Sequence, residues 1–480
     1  MKVLFFTPTN IYSNLAEIEL EIMQRHLDAG DEVHAIICRG NLSVCEINPT
    51  HKKLQCSYCI AKHKNMFALL DGKIQTHNLT RFYNTTEDIS TLQTVFTSID
   101  DLKKYKWDEH FDIGYSIGSY LISEYRDPHL DITPHLPLIK TLMQTSLHLY
   151  LAVQHFLTQH KMDKVYVWNG RMPTMRPVIR AAASKQIDFA TFNMGSNAGS
   201  FETFDNALIH DLSYTSTQII NYWNSSTVSL EEKTAAGSAF FIKRTQKAPG
   251  DADGINRFIQ NQEIEKLPDN WDPAKTNISV FNSSEDEMAS ISDEWKNHLY
   301  HDQYDGLCRL ITSIENNDQF NNYHFYLRIH PNLSNINNAD VTRITSLRSP
   351  KLTIIPATSP VSTYFLIQQS DKVVTFGSSA GIEAVFMEKP SILLGKCFYR
   401  NLPGGTYQPA SHDEFIELLL QPLKPLDKTA ALMYGYFWST YGTPLKYVSK
   451  NGEDWFFKGK KLRSSFLYEG LKSLKGKIKK

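Results

Sequence analysis

The chain has 480 residues, 41% of them hydrophobic and 21% charged, with a formal net charge of −1. That length exceeds one ordinary core and predicts two domains of about 200 residues each, and the composition is that of a soluble globular protein. The balanced charge excludes a global field that would draw nucleic acid, and no stretch reaches the roughly 18 uninterrupted apolar residues of a membrane span.

Short apolar runs alternate with amphipathic stretches, which predicts a parallel α/β sheet. The opening segment MKVLFFTPTN lacks the long apolar core and cleavage site of a signal peptide, so a cytoplasmic chain is expected. Residues 2–8 read as a strand, 14–29 as a helix ended by Gly30, and 32–38 as a strand. Strands are then predicted at 112–118, 164–169 and 189–195, with helices at 138–160 and 175–185. The polar stretch 243–275 reads as a connection. Beyond it come strands at 277–282, 325–330 and 352–356, and helices at 299–316, 363–370 and 413–420.

Four of the six cysteines, Cys38, Cys45, Cys56 and Cys59, lie within twenty-two residues at C-x6-C-x10-C-x2-C spacing, with His51 and His63 interleaved. In a cytosolic chain such a cluster points to a structural zinc on thiolates. Scattered buried thiols are the alternative. Cys308 and Cys397 read as packing residues. At the other end, residues 458–480 carry nine Lys/Arg against one acid, Glu469. Leu467, Leu471, Leu474 and Ile478 share one helical face there. Residues 464–480 therefore read as a basic amphipathic helix in peripheral contact with anionic lipid, or as a terminal helix with solvated lysines.

Residues 373–395, VVTFGSSAGIEAVFMEKPSILLG, carry the densest signal. A strand runs into Gly377-Ser378-Ser379, a helix opens at Ala380, and a second strand follows Pro390. The N-terminus of such a helix can hold phosphate through its N–H groups and dipole. Glu383 in its first turn can accept from ribose hydroxyls, although ordinary capping explains the same Ser and Glu. Upstream, Leu327-Arg328-Ile329-His330-Pro331-Asn332 ends a strand. Alternation puts Arg328 and His330 on one side, and Pro331 forces an extended exit. In order and spacing, the two motifs resemble the C-terminal half of bacterial capsule and surface-polysaccharide biosynthesis glycosyltransferases, most clearly over residues 278–420.

The resemblance implies an α/β fold of the GT-B type, two Rossmann-like doubly wound domains facing a central cleft. The expected layout is an acceptor domain over 1–245 with a Cys-rich insertion at 38–63, a connection at 246–275, a nucleotide-sugar donor domain at 276–425, and C-terminal helices with the basic tail at 426–480. The implied activity is transfer of a sugar, without a catalytic cofactor or metal, to a capsule, O-antigen or lipopolysaccharide glycan on a lipid-linked or oligosaccharide acceptor. The donor is a CMP-activated ulosonic acid or a UDP- or GDP-sugar, held by Arg328, His330, Asn332, Ser378, Ser379 and Glu383. Asn169 and Arg171, in a turn after a strand, are expected to face the acceptor or the leaving phosphate. A base for the attacking hydroxyl is expected from Asp211 or His210, with Glu202 behind them. One fold hosts many chemistries, so a polyol-phosphate transferase, a nucleotide-sugar 2-epimerase and a non-catalytic nucleotide- or glycan-binding assembly subunit stay open.

Overall fold

The computed structural model describes residues 1–6, 15–83, 91–197, 199–246, 259, 261–452 and 454–462. The expected amphipathic tail at 464–480 lies outside them. The chain forms two compact units. The first takes the described residues of Met1–Glu124 and Leu130–Ile209 and those from Gly442 onward; the second takes Tyr125–His129 and His210–Tyr441.

In chain order the first unit contributes β1 (Lys2–Phe6), α1 (Leu15–Asp28), β2 (Glu32–Ile37), α2 (Lys53–Phe67), β3 (Gln75–Asn78), α3 (Ile99–Lys104), α4 (Ile113–Tyr125), α5 (Leu136–Gln159), β4 (Lys164–Trp168), α6 (Arg176–Ser184), β5 (Asp188–Met194) and β6 (Ser200–Asp205). The second contributes α7 (Leu212–Ser225), α8 (Leu230–Thr245), β7 (Thr276–Phe281), α9 (Glu285–Ala289), α10 (Gln303–Glu315), β8 (Tyr323–Arg328), α11 (Ala339–Thr345), β9 (Leu352–Ile355), α12 (Thr363–Gln369), β10 (Lys372–Thr375), α13 (Ala380–Phe386), β11 (Ser391–Leu393), α14 (His412–Leu420) and α15 (Thr429–Thr440). The chain then returns to the first unit with β12 (Thr443–Pro444), β13 (Val448–Asn451), β14 (Asp454–Phe457) and β15 (Lys460–Lys461).

The first sheet runs β12-β6-β5-β4-β1-β2-β3. Its β3-β2-β1-β4-β5 portion is parallel, and β6 and β12 add antiparallel strands at the β5 edge. The second sheet, β11-β10-β7-β8-β9, is parallel throughout. Both parallel portions follow the 3-2-1-4-5 order of a doubly wound Rossmann-like unit, in which ligands bind beyond the carboxyl ends of the strands where the winding reverses. In the second unit that point lies between β7 and β10, whose strands register Phe281 opposite Thr375.

Three expectations are corrected. Residues 112–118 do not form a strand but open α4. Every residue from Ile113 to Ile122 is buried, so no polar face discloses the helical period. The chain crosses to the second unit at His210, not at 245. Ile219 of α7 and Phe241 of α8 share one apolar cluster with Leu393 and with Met433 and Phe437 of α15. Residues 426–480 divide likewise. The described residues beyond Tyr441 belong to the first unit, where the buried Glu21 carboxylate accepts the backbone N–H groups of Lys446 (2.9 Å), Tyr447 (2.7 Å) and Val448 (3.0 Å).

Candidate functional site

At the carboxyl ends of the second sheet lies a cavity of about 130 Å³. Asn282 follows β7, Arg328 and His330 end and follow β8, Ser378 and Ser379 follow β10, and Glu383 comes from α13; all six line it. The two motifs, some fifty residues apart in sequence, therefore meet at the winding reversal.

Arg328 is 2% exposed. Nη2 donates to the Ser359 carbonyl at 3.2 Å, while Nε and Nη1 are buried with no hydrogen-bond partner among the described residues. Burial lowers its pKa to about 10, which leaves the guanidinium charged at neutral pH. A buried cation with unused donors is costly unless an anion meets it.

His330 is held by Asn282, which follows β7, and by its chain neighbour Asn332. Its backbone N–H donates to Asn282 Oδ1 at 2.8 Å, and Nδ1 accepts the Asn332 N–H at 3.2 Å. That acceptor role puts the proton of the neutral ring on Nε2. Burial pushes the ring's pKa down to about 4; Asp286 opposes this, while Arg126 and Arg328 reinforce it. The ring is thus a neutral donor at pH 7. Asn332 is absent from the cavity lining. Its amide donates to Glu287 Oε1 at 2.5 Å, which ties the loop after β8 to α9.

The Ser378–Glu383 turn is arranged differently from the sequence expectation. The N–H groups of Gly377 and Ser378 donate to Thr375 Oγ1 at 3.2 and 2.9 Å, and Ala380 N–H donates to Ser378 Oγ at 3.3 Å. The turn satisfies these N–H groups itself, whereas two Arg328 donor atoms have no partner among the described residues. Glu383, 4% exposed, pairs with Arg244 Nη1 of α8 at 3.2 Å and accepts from Ser379 Oγ at 3.3 Å. Arg244 is 3% exposed and lies over the Phe240 ring at 3.8 Å. Sequence reasoning did not single out Arg244, which lies 139 residues from Glu383. Asn282, a strand-end polar residue like His330, carried a readable signal.

The remaining expected residues lie elsewhere. Asp211 caps α7, its Oδ1 accepting Tyr214 N–H at 2.8 Å. Burial raises its pKa and the Tyr214 N–H opposes the rise. The His210 carbonyl accepts Trp295 Nε1 at 2.9 Å. Neither residue lines the cavity. In the first unit, Glu202 accepts Ser196 N–H at 2.9 Å. Asn169 follows β4 with φ 61° and accepts Arg171 N–H at 3.2 Å, while Arg171 Nη1 donates to Ser119 Oγ at 2.9 Å and Ser123 Oγ at 3.1 Å. The positive φ is tolerated by Asn, and Gly170 follows it at φ 81°.

Cys38, Cys45, Cys56 and Cys59 all line a second cavity of about 30 Å³ in the first unit. None is in a disulfide. Among the described residues, no group of three or more His, Cys, Asp or Glu side chains is arranged as a metal site, and no helix is long and apolar enough to cross a membrane.

Residues 310–428 match the family described as Capsule polysaccharide biosynthesis protein. No curated protein matches the chain. Among solved structures, the chain is similar to Thermosulfurimonas dismutans KpsC, beta Kdo 2,4 transferase, at 14% identity and TM-score 0.36 over 57% of this chain and 79% of that one. The beta Kdo 2,7 transferase of the same protein gives 13% and 0.35 over 68% and 89%. The Methanocaldococcus jannaschii UDP-GlcNAc 2-epimerase, in complex with UDP-GlcNAc and UDP, gives 10% and 0.29 over 90% and 98%. Likeness at this level carries no functional argument, and the fold assignment rests on the strand orders above. The sequence match is more pointed, because it spans Arg328, His330, Ser378, Ser379 and Glu383; over this segment the chain is similar to the capsule polysaccharide biosynthesis family.

Proposed function

We propose that the chain is a glycosyltransferase of capsule or surface-polysaccharide assembly, and that the cavity at the carboxyl ends of the second sheet seats the phosphate and nucleoside of its activated sugar donor. The observation that carries this reading is Arg328, a buried charged guanidinium that has two donor atoms without a partner among the described residues and lines a cavity in the matched segment.

Arg328 meets the donor phosphate, and the neutral His330 donates from Nε2 to a phosphate or sugar oxygen. Charge that builds on the leaving phosphate in the transition state is stabilised by donors already in place, with little reorganisation at the moment of reaction. Glu383 and Ser379 flank the sugar side, with Arg244 pairing with the carboxylate at 3.2 Å. Arg328 is the one cationic side chain among the described residues lining the cavity. A single positive charge matches a phosphodiester donor better than a diphosphate, which favours a CMP-activated sugar over a UDP- or GDP-sugar. The acceptor is a growing surface glycan, and Asp211 or Glu202 stands as the base only if its present hydrogen bond is exchanged for the acceptor hydroxyl.

A thermal-shift comparison of CMP, CDP, UDP and GDP tests the reading. Ligand binding to the folded state raises the midpoint by mass action. CMP is expected to give the largest rise, and Arg328→Met to abolish it while the unliganded protein unfolds at an equal or higher midpoint. No rise with any nucleotide, or an equal rise in Arg328→Met, removes the donor-site assignment.

A further inference from the structure

The cysteine cluster is unrelated to the donor cavity and lies outside the matched segment. Two of its sulfurs sit in tight backbone turns. The Cys38 sulfur is approached by the N–H groups of Leu42, Gly40 and Asn41, in a turn where Arg39 and Gly40 take φ 51° and 77° and Asn41 N–H closes on the Cys38 carbonyl at 3.0 Å. The Cys45 sulfur is approached by the N–H groups of Asn48 and Ile47, and Asn48 N–H closes on the Cys45 carbonyl at 2.9 Å. The two turns share this closing hydrogen bond, although Glu46 and Ile47 do not take the positive φ of Arg39 and Gly40. Burial raises the pKa of both thiols and outweighs these N–H groups, so what the N–H groups supply is orientation of each sulfur as a ligand.

The other two cysteines come from a helix. Cys56 and Cys59 lie three residues apart near the start of α2, hence on one face. Asn48, 3% exposed, donates from Nδ2 to Cys56 Sγ at 3.3 Å, and His63 Nδ1 lies 4.0 Å from Cys59 Sγ. Three sulfurs thus have N–H donors, the fourth has an imidazole beside it, and all four border one small cavity.

We propose that Cys38, Cys45, Cys56 and Cys59 bind one zinc ion as a tetrahedral tetrathiolate that fixes the segment after β2 to α2. Two turns and one helix start supply two ligands each way, and a closed four-sulfur set suits a structural ion and leaves no position for substrate. No three of these side chains stand as a metal site in the present rotamers, so binding requires rotation about each cysteine's single heavy-atom torsion to bring the sulfurs to Zn–S distances of about 2.3 Å. Each thiol releases its proton to solvent on binding.

The full chain, purified without chelator, is expected to carry about one zinc per molecule by metal analysis. After zinc is removed, Co²⁺ is expected to give the thiolate-to-metal charge-transfer band and the visible bands of tetrahedral cobalt. Cys56→Ser/Cys59→Ser is expected to lose both, and Cys308→Ser to keep them. A chain with no zinc and no charge-transfer band overturns the proposal, as does a double variant with an unchanged spectrum. Should the double variant fail to fold, thiol reactivity of the wild type decides. Four cysteines reacting only after a chelator is added supports the site; equal reactivity with and without chelator overturns it.

Discussion

Asp211 and His330 each show how a polar side chain is settled by the neighbours that it meets. Asp211 follows a polar loop, which suits a catalytic base, yet its carboxylate satisfies the first turn of α7. Asp211→Ala is therefore expected to cost about 1 kcal/mol of stability, the usual value of an N-cap, in urea unfolding, with nucleotide binding unchanged. His330 offers a pH test. Its folded pKa, about 4, lies below the ordinary 6.5, so the unfolded chain binds the proton more readily. The stability this neutral ring contributes is whole above pH 6.5 and is lost as pH falls through about 4. Relative to His330→Gln, the wild type is expected to lose stability across that window. Equal pH profiles for the two proteins would contradict a buried neutral ring.

At the scale of elements, Arg244 of α8 and Glu383 of α13 form an ion pair buried on both sides. Removing one partner of such a pair strands the other charge, at about 3–5 kcal/mol, whereas replacing both by apolar groups of similar size is often neutral. Glu383→Ala is thus expected to lower the urea midpoint sharply, and Arg244→Met/Glu383→Leu to recover most of the loss. A Glu383→Ala protein as stable as wild type would show the pair to be incidental. Glu383 was legible as a site residue because it follows a small-residue turn in a strand–turn–helix unit. Its partner was not legible, because nothing in the amphipathic pattern of 230–245 says which helix lies against it. The α4 segment failed for a related reason: burial on every side erases the polar face on which a helix is recognised.

For the whole molecule, the return of the chain is the consequential feature. After α15, the described residues from 442 onward rejoin the first unit, where β12 pairs with β6 and three successive N–H groups converge on Glu21. Charge-assisted bonds of this kind are about twice as strong as neutral ones. Glu21→Ala is expected to leave those N–H groups unsatisfied, to speed proteolytic cleavage within 442–450, and to spare nucleotide binding in the second unit. Cleavage no faster than in wild type would mean that β12 alone retains the segment.

The sequence by itself determined most strands of the parallel α/β sheets, since strand length, apolar runs and small-residue turns are local properties; their doubly wound order was implied by the family resemblance and decided by the strand pairing. It also marked the two motifs that meet at the cavity, because residues that end parallel strands necessarily gather on one edge of the sheet. Only the tertiary structure decided which of them line the cavity, that Arg328 is buried with donors to spare, and that Asn332 and the N–H groups of the Ser378 turn are already engaged. Those outcomes depend on desolvation and on partners distant in the chain, which no local pattern encodes.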